Sequence, residues 1–355
     1  MKNFFLSPIN IIIKEAKKGN IFILVDNKNR ENEGDLVIPA SKANSKSINF
    51  MAKHGRGLIC LALTKKQVDK LSLPLMSSVN KARMQTAFTV SIEARKGIST
   101  GISAFDRAKT IKVAINNQSK KNDIVSPGHV FPLVSRDGGV LERAGHTEAS
   151  VDISKLANLN PSAVICEVMN EDGRMARFDD LLKFAAKHNL KIASIEDLIS
   201  YRLKNEKLIL NTSNKQIKIR KFGLFNLNIF KNKLDGSNHY AITKGKFNLS
   251  KTARVRVIAT NIPQNLGKLN NAVFIKSIRY LSKFNNFALI LIKNQNPNRI
   301  NGETIKSSNI LRYYGIGAQI IKDLKIRNMI LVSRSKKKII GLYGYGIKIS
   351  KQEII

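Results

Sequence analysis

The stretch DNKNRENEGD, Asp26 to Asp35, gathers four carboxylates (Asp26, Glu31, Glu33 and Asp35) into ten residues of a chain that has only 25 Asp and Glu among 355 residues and a formal net charge of +36. Like charges this close repel unless a cation, a substrate or a basic group offsets the repulsion. A hard divalent cation such as Mg²⁺ wants oxygen ligands and takes one or two carboxylates, leaving positions for water and substrate oxygens. This stretch supplies them. Arg30, in its middle, can balance the surplus charge or grip an anionic substrate group in a two-pronged contact. Taken alone, the stretch is also consistent with a solvated turn between two strands.

Two further segments carry chemistry-bearing residues. In SPGHVFPLVSRDGGVLERAGHTEASVD, 126–152, His129 follows Pro-Gly, and the run Arg143, Ala144, Gly145, His146 and Thr147 precedes a helical pattern. A glycine-flanked Arg-x-x-His-Thr at a helix start suits a phosphate, because backbone N–H groups, the helix dipole, a hydroxyl and a guanidinium converge there. A single histidine serves as readily as a structural hydrogen-bonder, so both readings stay open for His129 and His146. Glu167 lies inside the apolar run AVICEVMN, 163–170. A buried, unpaired carboxylate is costly, so it needs a partner or a raised pKa, which is how a general base is made. An edge strand with Glu167 facing water fits the same letters.

The elements that must position these residues alternate. IFILVD (21–26) and LVIPA (36–40) read as strands flanking the acidic loop, SINFMAKHG as a helix closed by Gly55, and LICLAL (58–63) and TAFTVSIEA (86–94) as strands. FDRAKTIKVAIN (105–116) and RFDDLLKFAAKHN (177–189) have helical spacing, AVICEVMN and KIASI (191–195) are strands, and the helix IEDLISYRLKNEK ends in the charged linker candidate 204–207. Beyond it, IKIRKFGLFNLNIF, HYAITKGKF, ARVRVIAT, FALILI and MILVS read as strands, with helices near 271–284 and over 316–325. The expectation is an α/β (α+β) protein of two domains, 1–204 and 208–355, the first with a mixed sheet and surrounding helices.

Composition bounds the function. The longest apolar runs, IFILV and FALILI, have strand length, well short of the roughly 20 residues that span a bilayer. No signal-peptide pattern opens the chain, and the two cysteines, Cys60 and Cys166, sit in apolar segments without metal spacing, so a reduced cytoplasm is expected. Residues 1–204 hold 32 Lys and Arg against 20 Asp and Glu, a balance of +12; residues 205–355 hold 29 against 5, or +24. No Arg/Gly or aromatic-interleaved basic motif accompanies this charge in the sequence. It therefore reads as a Lys-, Asn- and Ile-rich composition rather than as nucleic-acid binding.

RENEGD (30–35), STGISAFDRAKTI (99–111), PGHVFPL (127–133), GGVLERAGHTEASVDI (138–153), AVICEVMNEDGRMAR (163–177) and IEDLISYR (195–202) together resemble 3,4-dihydroxy-2-butanone 4-phosphate synthase of riboflavin biosynthesis, in the right order over about residues 8–204. The resemblance implies conversion of ribulose 5-phosphate to 3,4-dihydroxy-2-butanone 4-phosphate and formate, with Mg²⁺ or Mn²⁺, in a homodimer. It makes Glu31 and His146 metal ligands and places Arg30, Glu31, Asp35, Glu167 and the run Arg143 to Thr147 on the sugar phosphate. It gives His129 and Glu167 roles essential to activity, Glu167 in proton transfer, and sets Asp26, Glu33 and Cys60 along the same site.

The second half resembles GTP cyclohydrolase II, most clearly over LRYYGIGAQIIKDLKIRNMILVSRSKKKIIGLYGYGIKI, 311–349. That family holds a catalytic zinc with three cysteines. No cysteine follows Cys166, and the only later histidine is His239, so the resemblance implies a degenerate domain without zinc, left with a structural or a nucleotide- or RNA-binding role.

Overall fold

The computed structural model describes residues 6–27, 31–81, 84–219, 221–247, 252–260, 272–293, 307–335 and 346–355, with the side chains of 307–314 excepted. The chain divides into two compact units, Met1–Ile199 and Ser200–Ile355.

The first unit is built on a mixed seven-stranded sheet. Its strands are β1 (Phe22–Val25), β2 (Gly34–Pro39), β3 (Cys60–Thr64), β4 (Ile92–Ala94), β5 (Ile124–Ser135), β6 (Ser162–Glu167) and β7 (Lys191–Ser194), in the order β4-β5-β3-β6-β2-β1-β7. Its helices are α1 (Ile9–Lys18), α2 (Ser45–Phe50), α3 (Lys65–Lys70), α4 (Ala104–Ala114), α5 (His146–Leu156) and α6 (Phe178–Lys187). The strands β1, β2 and β6 are buried along nearly their whole length, as strands covered on both faces must be. One face packs Leu36, Ile38, Val164 and Cys166 against Ile48 of α2, Met51 just after it, Ile111 of α4, and Leu181 and Ala185 of α6. The other is covered by α5, which lies against β2, β3 and β6, with α1 beside it. In α1 the buried residues Ile9, Ile12, Ile13 and Ala16 recur at helical spacing, and Gly19, at φ +82°, ends the helix by donating to the Ala16 carbonyl.

Several expected elements differ in extent. TAFTVSIEA forms a strand only over Ile92–Ala94, with isolated bridges at Phe88 and Thr89: Ala87 and Thr89 still bond to Val134 and Pro132 of β5, but Val90 donates to the Pro74 carbonyl and the pairing is interrupted there. The helix begun at Ser45 continues as a π-helical turn, Met51–Gly55. β6 ends at Glu167, so that carboxylate closes a strand instead of sitting mid-strand.

The second unit carries another mixed sheet, β8 (Ile209–Ile219), β9 (Gly223–Asn232), β10 (Asn238–Lys244), β11 (Thr252–Thr260), β12 (Phe287–Lys293), β13 (Asn328–Ser333) and β14 (Lys348–Ile354), ordered β14-β13-β11-β12-β10-β9-β8. The helix α7 (Ile195–Asn205) takes up the first two residues of the expected linker at 204–207. Its C-terminal end is held within the second unit: Gln319 donates to the carbonyls of Leu203 and Glu206 and accepts from the Leu208 N–H. Gln319 belongs to the GIGAQ segment of α9 (Ser307–Asp323), and α8 (Ala272–Leu281) completes the unit. Among the described residues, no helix is long and apolar enough to cross a membrane.

Candidate metal and sugar-phosphate site

The acidic stretch joins the antiparallel pair β1 and β2. Asp26, one residue past β1, organises the turn: its carboxylate accepts from the backbone N–H of Glu31 at 3.1 Å and of Glu33 at 2.9 Å, and its own N–H donates to the Glu33 carbonyl. Arg177, just ahead of α6, braces the turn from outside. Its guanidinium donates to the carbonyls of Glu31 (2.6 Å) and Asn32 (3.1 Å) and lies 3.4 Å from the Glu33 carboxylate. Arg30 falls outside the described residues. Arg177 had no assigned role in the sequence; its signal was only its place in the MNEDGRMAR segment, 145 residues from the Asn32 carbonyl it supports.

The sheet register places Asp35 on β2 directly opposite Glu167 on β6. The N-terminus of α5 comes over this pair with His146, whose Nδ1 lies 3.8 Å from Asp35. Asp26, Glu31 and His146 each bring a ligand atom within 4.8 Å of the others, the one such cluster of His, Cys, Asp or Glu among the described residues. Two carboxylates and an imidazole form an oxygen-rich set that fits a hard divalent cation. Asp26, expected to line the site, thus joins Glu31 and His146 as a possible ligand.

The electrostatics are those of crowded acids. Burial, then the charges of Glu167, Glu31, Asp26 and Glu33, push Asp35 well above the usual carboxylate range. Glu33 is raised by burial and by Glu31, against the opposing pull of Arg177. The Cys60 thiol, buried beside Glu167 and Asp35, is pushed up as well and stays protonated. The Glu167 carboxylate accepts from the Leu58 N–H at 2.9 Å. The backbone approaches closely there: a Cβ on Gly57 would stand 2.6 Å from both the Glu167 carbonyl and its carboxylate, and 2.7 Å from its nitrogen.

At the start of α5, Gly145 occupies the N-cap with no side chain capping the helix, and Thr147 is buried. Arg143 is turned toward the protein, with an ion pair to buried Glu148 at 2.6 Å and bonds to the Met84 carbonyl and the Thr86 hydroxyl. His129 stands apart from the acidic cluster. It lies on β5, exposed, and its Nδ1 contacts the carboxylate of Glu93 on β4, a partner the sequence did not single out. The row Phe131, Cys60 and Ile165 crosses β5, β3 and β6, so His129 and Glu167 sit at the same end of the sheet, two strand spacings or about 10 Å apart.

Residues 10–201 match the family model of 3,4-dihydroxy-2-butanone 4-phosphate synthase. The chain belongs to that family. Residues 276–353 match the model of GTP cyclohydrolase II. The riboflavin biosynthesis protein RibBA of Aquifex aeolicus is 40% identical over 98% of this synthase-family chain and 92% of its own length. The solved structure of RibBX from A. baumannii, a two-domain 3,4-dihydroxy-2-butanone 4-phosphate synthase, is 37% identical with a TM-score of 0.84, covering 98% of this chain and 99% of that one. A structure of 3,4-dihydroxy-2-butanone 4-phosphate synthase in complex with two magnesium ions is 37% identical with a TM-score of 0.54, covering 56% of this chain and 98% of that one. Both units of this chain therefore have a counterpart in one two-domain synthase fold.

Proposed function

We propose that this chain converts ribulose 5-phosphate to 3,4-dihydroxy-2-butanone 4-phosphate and formate through a site in residues 1–204, with Mg²⁺, or Mn²⁺ in its place, held by Glu31 and His146 and joined by Asp26. The observation that carries this reading is the convergence of Asp26, Glu31 and His146 beside the opposed carboxylates Asp35 and Glu167 in a family member. The reaction removes a proton from carbon next to a ketone, migrates a carbon and releases one carbon as formate. The cation supplies charge stabilisation for the developing enediolate. Glu167, oriented by the Leu58 N–H, is placed to take the proton. Asp35, whose hold on a proton is strengthened by burial and by its acidic neighbours, is placed to donate a hydrogen bond or return a proton. The uncapped start of α5, with Gly145, His146 and Thr147, suits the phosphate. Arg143, bound to Glu148 and to Met84, holds that helix start in place.

His129 is set toward the same end of the sheet on β5, with Glu93 orienting its ring. A homodimer is supported by the large apolar side chains exposed in the first unit, Leu75, Met76, Val79, Ile102 and Phe105, each more than half exposed. Residues 208–355 form a degenerate cyclohydrolase-like domain, since the chain has no cysteine after Cys166. The free thiols fit the cytoplasm.

The test is formate release from ribulose 5-phosphate. Activity should vanish with EDTA, return with Mg²⁺, and be absent in Glu31→Gln and His146→Ala, both folded by circular dichroism. Near-normal turnover in either variant at saturating Mg²⁺ removes the ligand assignment.

A further inference from the structure

Lys53, Arg56, Lys183 and Lys187 come together where the end of the π-helical turn meets α6, around a cleft of about 390 Å³. Small-molecule sites run from about 300 to 1,000 Å³. Two carboxylates line it, and both are engaged: Glu171 is 3.7 Å from Arg56, while Asp180 accepts from the Arg177 N–H and the Asn170 side chain. Lys53, Lys183 and Lys187 make no ion pair among the described residues. A surplus of like charge gathered in one concavity is a standing electrostatic cost that an anion relieves.

Three rings line the same cleft, tilted to one another by 51° (His54 and His188) and 44° (Phe184 and His188). His188 lies 4.7 Å from His54 and 4.5 Å from Phe184, centroid to centroid, and Phe50 packs behind at 4.8 Å from His54. His54, Phe184 and His188 are half-buried, so each offers part of its ring to the cleft. Burial, with Lys53, Lys187 and Arg56 around His54, and with His54 and Lys187 around His188, holds both imidazoles below their usual range. They present neutral faces for stacking. Rings flanked by cations bind aromatic bases by their faces and phosphates by charge-assisted hydrogen bonds. A nucleic-acid strand needs a basic groove that tracks several phosphates; this cleft of about 390 Å³ also counts Glu171 and Asp180 among its lining residues. The site lies on the α2 and α6 side of the sheet, whereas α5 and His146 cover the other.

We propose that this cleft binds a planar heteroaromatic monophosphate of mononucleotide size, its ring on His54, Phe184 and His188 and its phosphate on Lys53 and Lys187. The proposal stands independently of the reading of the catalytic site.

Flavin mononucleotide is a suitable probe, being planar, singly phosphorylated and fluorescent. Titrated with the full-length chain and followed by fluorescence quenching and equilibrium dialysis, it should bind. Riboflavin and inorganic phosphate should each bind about tenfold or more weaker, since each supplies half of the contacts. The double variant Lys53→Glu/Lys187→Glu, altered only at exposed side chains, should weaken flavin mononucleotide about tenfold or more while formate release stays unchanged. The proposal is overturned by no binding of flavin mononucleotide, by equal affinity for riboflavin or for phosphate, by displacement with ribulose 5-phosphate, or by affinity untouched in the double variant. Binding of a single-stranded oligonucleotide without any of flavin mononucleotide would assign the surface to nucleic acid and overturn it equally.

Discussion

Gly57→Ala changes one atom outside the set of side chains that touch substrate, yet it should nearly stop the reaction. The new Cβ would stand 2.6 Å from the Glu167 carbonyl and carboxylate and 2.7 Å from its nitrogen. An ordinary carbon–oxygen contact is about 3.4 Å, so roughly 0.8 Å of movement is needed. Two of the three atoms are backbone at the end of β6, which cannot swing away as a side-chain tip can. The third is the carboxylate, and moving it breaks the 2.9 Å bond from Leu58. Overpacking of this kind costs about 1–3 kcal/mol of stability, while misplacing a catalytic group by about 1 Å costs on the order of 100-fold in rate. Turnover should therefore fall about 100-fold with KM changed little, because the phosphate and cation contacts are elsewhere. Steady-state formate release gives kcat and KM, and urea midpoints give stability. Since Gly57 acts through Glu167, the double variant Gly57→Ala/Glu167→Gln should be no slower than Glu167→Gln alone. Wild-type kcat in Gly57→Ala, or additive losses in the double variant, would refute the assignment of Glu167 as a positioned base.

Glu167→Gln itself keeps the shape but removes the base, so turnover should collapse while ribulose 5-phosphate still binds by calorimetry; equal loss of both would mean that Glu167 serves binding. The second unit should lose stability in acid through His239, which is buried, accepts from the Lys293 N–H, and is pushed down to about 4 by burial. The unfolded chain takes up that proton below about pH 6.5 and the folded one not until about pH 4, so stability present above 6.5 is lost as pH falls, by about 3 kcal/mol. Urea titrations at pH 7 and pH 4.5 should show the loss in wild type and less of it in His239→Gln; identical pH dependence in the two would exclude the histidine as its source. Elemental analysis should find no stoichiometric zinc and GTP should yield no formate, because activating water for ring opening needs a Lewis acid held by Cys, His or carboxylates, and residues 205–355 carry no Cys, one His and five scattered acids. One zinc per chain together with GTP turnover would restore a second activity.

The sequence by itself determined which residue types carry the chemistry and the alternation of strands and helices around them. DNKNRENEGD marked a candidate cation site by its charge density, though the same letters also fit a solvated turn, and the Gly-His-Thr start of α5 was readable because helix periodicity and a glycine N-cap are local signals. Most strands of the first unit were likewise set by apolar runs. Only the tertiary structure decided what touches what. Asp35 faces Glu167 through a register between strands separated by more than a hundred residues, and Glu167 closes β6 because Gly57 and Leu58 pass against it. Arg177, the missing counterweight, reaches the acidic turn from the far end of the unit, and Arg143 is bound to buried Glu148. The basic ring-lined cleft was invisible for the same reason: Lys53 and His54 stand some 130 residues from Lys187 and His188, so no local motif marks it. Periodicity and composition are properties of neighbours along the chain, whereas register, close backbone approach and burial are set by which distant segments pack together.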